Sequence, residues 1–170
     1  MTFSRVILSV LLILSAAVVQ VTVVNRLPLP GAGPDLVLLV VIGLAVVVGP
    51  MAGASIGFGA GLLVDLMPPT ATEVGRWALV FCLIGYLAGQ IQVDAKRSVL
   101  IVLGAVAGLA ALAALLFAGL GLLFGDPRIS GDLVVSTMVS SVLYDLLLAP
   151  FVIPGVMALT RRTAINPTLA

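Results

Sequence analysis

Residues 49–69 read GPMAGASIGFGAGLLVDLMPP, and the rest of the chain is best read outward from them. Glycines stand at 49, 53, 57 and 61, and the next step of four lands on Asp65. On a helix of about 3.6 residues per turn each such step drifts by about 40°. The segment is therefore expected to be a helix carrying a winding groove of small residues that ends in a carboxylate. Between helices in lipid, where apolar burial no longer drives association, such a groove lets two backbones approach closely.

Composition supports that solvent. Hydrophobic residues make up 62% of the 170-residue chain and charged residues 9%, and the mean hydropathy is +1.34. Soluble domains run at about 45–50% apolar and about 25% charged, so a bilayer is the expected medium. Eight basic residues against seven acidic ones leave a net charge of +1. That balance offers no basic patch for nucleic acid. The chain has no histidine, and its lone cysteine, Cys82, lies in an apolar run. Thiol catalysis and zinc binding thus lack their usual partners, and no cofactor is expected.

Six membrane-spanning helices are expected, at about 6–24, 34–49, 51–67, 73–92, 98–124 and 132–159, within one domain covering 1–170. The first opens like a signal peptide, with Arg5 ahead of an apolar stretch and Ser15-Ala16-Ala17 within it. Its apolar run continues to Val24, so it is read as an uncleaved helix. Gly49-Pro50 turns the second span into the third. Pro68-Pro69 closes the third, and Pro150 and Pro154 interrupt the sixth. With the N-terminus inside, Arg5, Lys96, Arg97, Arg161 and Arg162 face the cytoplasm, and Arg26, Arg76 and Arg128 face outward. The positive-inside rule then places both termini in the cytoplasm.

Four charged residues in or beside these spans demand an account. Asp35 opens the second span and Asp65 ends the third, so both are expected near the outer rim. Arg76 follows Asp65 closely enough to neutralise it. Asp145 lies 13 residues beyond Asp132, about 20 Å along a helix, which puts it below the bilayer midplane. A charge at that depth costs about 2.5–3.5 kcal/mol on insertion scales and marks a functional site by default. Relief is open to it from Ser140 or Ser141, from backbone freed by Pro150, or from protonation. Further small-residue sites occur at Gly85 and Gly89 and at Gly104 and Gly108. Each groove could receive a helix of this bundle or one from another protein.

Taken together, PDLVLLV at 34–40, GPMAGASIGFGAGLLVDLMPP at 49–69, GRWALVFCLIGYLAG at 75–89 and YDLLLAPFVIP at 144–154 resemble the bacterial rod-shape-determining MreD family. The resemblance implies an all-α integral membrane protein of six helices, similar in fold to the substrate-binding subunits of energy-coupling-factor transporters. It implies a non-enzymatic scaffold in the bacterial inner membrane, supporting cell shape and peptidoglycan synthesis. The implied direct partner is MreC, with MreB, RodA and a class B penicillin-binding protein in the same complex and lipid around it. Gly53, Gly57, Phe58, Gly61, Asp65, Asp35, Arg76, Asp145 and Pro150 are the residues expected to bind a partner or pack helices. The alternative is a vitamin-binding transporter subunit, for which Trp77 at the outer rim would be a candidate contact. Against it, nine aromatics are scattered and asparagine occurs only at 25 and 166.

Overall fold

The computed structural model describes residues 3–67, 75–91, 99–125 and 131–165, with side chains described for all but 3, 99–101, 131–138 and 162–165. Among them are six α-helices: α1 (Phe3–Thr22), α2 (Leu36–Val48), α3 (Pro50–Leu66), α4 (Arg76–Gln90), α5 (Val99–Leu123) and α6 (Gly131–Ile165). A 3-10 turn, Val24–Arg26, follows α1, and the described residues include no strand. Pro68-Pro69, Lys96, Arg97 and Arg128 of the expected scheme lie outside the described residues.

Helix α2 is the axis of the molecule. Its residues LVLLVVIGLAVVV are apolar on every side, so a stable position is one enclosed by protein all round. Ten consecutive residues from Val37 to Val46 are buried, and α1, α3, α4 and α6 surround them. Gly49, at φ 92°, ends α2 and starts α3, and Pro50 occupies the first turn of the new helix. Proline suits that position because its missing N–H would find no intrahelical partner there.

Side-by-side contacts fix the helix directions. Gly53, Gly57 and Gly61 of α3 meet Gly85, Phe81 and Trp77 of α4 in turn, so these two helices are antiparallel. Asp35 meets Asp145, and eight residues on Gly43 meets Ile153 and Val156, so α2 and α6 run the same way.

Three helical stretches are long and apolar enough to cross a membrane: Ser4–Arg26, Val102–Leu123 and Val139–Arg161. The other three helices, α2, α3 and α4, have 13, 17 and 15 residues. That makes them about 20–26 Å long, short of the ~30 Å hydrocarbon core. The outer surface of the bundle is apolar, with Leu115, Leu122, Leu147 and Phe151 all more than half exposed. A continuous apolar exterior is what lipid, rather than water, accommodates.

Helix α6 corrects one expectation. It runs unbroken through Pro150 and Pro154 for 35 residues, about 52 Å, where an interrupted span was expected. It is also longer than the hydrocarbon core is thick, so its first residues need not mark the membrane edge.

Candidate functional site

The first four N–H groups of a helix have no partner within it, and where they are buried something else must accept from them. This chain solves the problem twice with aspartates held on other helices.

At the start of α4 the acceptor is Asp65, from the last turn of α3. Its Oδ2 takes the N–H groups of Gly75 at 2.9 Å and Ala78 at 3.1 Å, and its Oδ1 that of Trp77 at 3.2 Å. The carboxylate is 3% exposed and lies at the positive end of the α4 dipole, a natural anion site. Gly75, at φ 102°, makes the left-handed turn that brings these amides together.

Arg76 was expected to pair with Asp65, and its guanidinium turns elsewhere. Nε donates to the Phe117 carbonyl at 3.0 Å, Nη2 donates to the same oxygen, and the charge lies 3.7 Å from the Phe117 ring centroid. The backbone amides following residue 74 reach Asp65 first, and the side chain is left to bridge α4 to α5. Trp77 stacks on the same ring at 4.2 Å and meets Phe81 edge-on at 5.2 Å. It is part of an inter-helix aromatic cluster.

At the start of α2 the arrangement has more members. Asp35 caps its own helix, accepting the Leu38 N–H at 2.9 Å. The Asp35 N–H donates to Asp145 Oδ1 on α6 at 2.7 Å. Gln20, on α1, accepts the Leu36 N–H through Oε1 and donates through Nε2 to the Pro34 carbonyl, both at 2.8 Å. Ser140 Oγ, a turn above Asp145, accepts the Ala32 N–H at 3.0 Å. The partner of Asp145 is the Asp35 amide, in place of the expected serine hydroxyl or backbone near Pro150. Two helices, α1 and α6, thus converge on the start of the buried one, and the loop leading into it is held against α6.

From the Asp65 knot the glycine seam runs along α3 and α4 to the Gly49–Pro50 turn. A Cβ added at Gly53 would stand 2.5 Å from the Gly85 carbonyl and 2.8 Å from the Ala45 side chain. One at Gly57 would strike the Phe81 carbonyl, and one at Gly61 the Trp77 carbonyl, closer still. Gly85 faces Gly53 in return, and Gly89 faces Pro50. Both the 49–61 stripe and the Gly85/Gly89 pair are therefore filled from within the bundle. Gly104 and Gly108 have no neighbour within 4 Å of an added Cβ.

The structure thus gathers Gly53, Gly57, Gly61, Asp65 and Arg76 around α3 and α4, and Asp35 with Asp145 around the start of α2. Phe58 is 45% exposed off the seam, and Pro150 is exposed on α6; neither joins either group. Gln20 and Phe117 were missed. Gln20 had a signal, as the one amide side chain in an otherwise apolar first helix. Phe117 had none, since it acts through its carbonyl and ring face.

Set against protein-family models and curated proteins, the chain matches none of either. The fold and the site define an all-helical molecule with membrane-compatible helices, its buried acids spent on helix starts.

Proposed function

We propose that this chain is a non-enzymatic scaffold of the MreD kind, crossing the bacterial inner membrane six times with both termini in the cytoplasm. In this role it binds MreC directly and sits with MreB, RodA and a class B penicillin-binding protein in the wall-elongation machinery. One observation carries the proposal: the motif residues behind the resemblance form the fastenings of the bundle. Asp35, Asp65 and Asp145 each take backbone amides at a helix start, and the glycines close α3 on α4. Groups committed in this way hold helices in fixed relation, which suits presentation of a partner better than a turnover cycle.

Six crossings accommodate the shortest of these helices, α2, because protein surrounds its buried residues. A second reading, the solute-binding subunit of an energy-coupling-factor transporter, has one observation in its favour. A hollow of about 230 Å³ lies beside the turn after α1, lined by Val24, Asn25, Leu27, Leu29, Gly31 and Gly33. Its volume falls below the ~300–1,000 Å³ of usual ligand pockets.

Depletion of the protein in its native bacterium tests the proposal. The scaffold reading expects cells to lose rod shape and to insert labelled wall precursor in disordered fashion, with no change in vitamin uptake. Normal shape with lost uptake of one vitamin would reject it in favour of the transporter subunit.

A further inference from the structure

Because α1 leans on α2 and α6 while α3 is closed against α4, α1 and α3 part from each other and leave a groove of about 380 Å³. Val6, Val10, Ile13 and Leu14 form one wall, and Ile56, Gly59, Ala60 and Leu63 line the other. Two hydroxyls, Ser9 and Ser55, also line it, and both are already spent on carbonyls of their own helices, Arg5 at 2.8 Å and Met51 at 3.1 Å. The groove therefore offers an occupant apolar contact and no free hydroxyl donor, which disfavours a polar solute. Each wall spans eight helical steps, about 12 Å, a length contained within one leaflet of the ~30 Å core.

Arg5 immediately precedes the first wall residue, and its carbonyl holds the Ser9 hydroxyl of the groove. The Arg5 Nε is buried and has no hydrogen-bond partner among the described residues. The Nε is enclosed by protein while the rest of the half-buried guanidinium is not, and the planar paired donors of arginine match a phosphate. An apolar, leaflet-deep groove with an unsatisfied phosphate-binding group beside its end has the chemical plan of a lipid molecule. We propose that the α1–α3 groove holds one acyl chain of an anionic glycerophospholipid, whose phosphate is bound by Arg5. The inference rests on the chain's lying in a bilayer and is independent of the scaffold reading.

The test uses the full-length protein in vesicles of phosphatidylethanolamine and phosphatidylglycerol, with phosphatidylglycerol carrying a photoactivatable group in its acyl chain. Adducts mapped by mass spectrometry should concentrate on 6–14 and 55–63, above the level at the exposed α5 residues Leu115 and Leu122. Gly59 has no neighbour within 4 Å of an added Cβ, so Gly59→Leu should fill the groove, keep the fold and cut those adducts several-fold. Unlabelled phosphatidylglycerol should displace the probe from unaltered protein more effectively than phosphatidylethanolamine, a comparison that needs no variant. Arg5→Gln should abolish that preference. Adducts spread evenly over the lipid-facing surface would overturn the proposal. So would a groove left unlabelled because a second copy or another protein's helix covers it, or equal displacement by the two lipids.

Discussion

At the residue scale, a carboxylate can live in an apolar bundle where it meets N–H groups that would otherwise be bare. Asp65 accepts from three such groups, and leaving buried donors unsatisfied costs about 1–3 kcal/mol each. Asp65→Leu should therefore lower stability by roughly 3 kcal/mol or more, read as the unfolding midpoint in detergent. Asp65→Asn keeps one oxygen and should fall between Asp65→Leu and the unaltered protein. Asp145 accepts the Asp35 amide, a task an amide oxygen can also perform. Asp145→Asn should cost about 1 kcal/mol or less, near the mean for hydrogen bonds between membrane helices, and Asp145→Leu clearly more. Equal losses from the two would mean that the charge, not the acceptor, matters. The sequence marked both acids as demanding, because a carboxylate in an apolar run has few acceptable fates. It could not name their partners. Backbone amides look alike in every residue, whereas Arg76 stood out as a cation and was wrongly matched to Asp65.

At the element scale, the stripe in the third helix was legible because glycine every four residues has few uses besides close approach. Whose helix fills the stripe was not legible, since the facing surface is the α4 backbone itself. The answer predicts a contrast between two glycine pairs. Gly57→Leu would drive a side chain into the Phe81 carbonyl, whereas Gly108→Leu meets nothing within 4 Å. The first should separate α3 from α4 and lower the melting temperature and yield sharply; the second should leave both unchanged. Similar effects from the two would contradict the seam. The helix boundaries followed the apolar runs closely except in α6, where prolines suggested an interruption. Helix α6 continues through both while packed against α2, α5 and α1, contacts of which the hydropathy of the sequence alone carries no trace.

At the scale of the whole molecule, a central apolar helix is fastened at its start by α1 and α6, and a glycine-sealed pair lies beside it. Topology is the property most open to direct test, because Cys82 is the single native cysteine. In a Cys82→Ser background, single cysteines placed at Thr2 and Thr168 should be labelled from the cytoplasmic side alone, as six crossings and an inside N-terminus require. Labelling of the two ends from opposite sides would leave an odd number of crossings. The composition made a membrane protein legible at once. The inter-helix knots were not, because they join residues more than a hundred positions apart, as Ala32 and Ser140 or Asp35 and Asp145 are. The most direct measurement for the proposed role is recovery of the tagged protein from its native membrane, followed by mass spectrometry, with Gly57→Leu run in parallel. The scaffold account predicts MreC and wall-elongation proteins with the unaltered chain and their loss with the variant. Recovery of transporter ATPases instead, or of no wall-elongation protein, would contradict it.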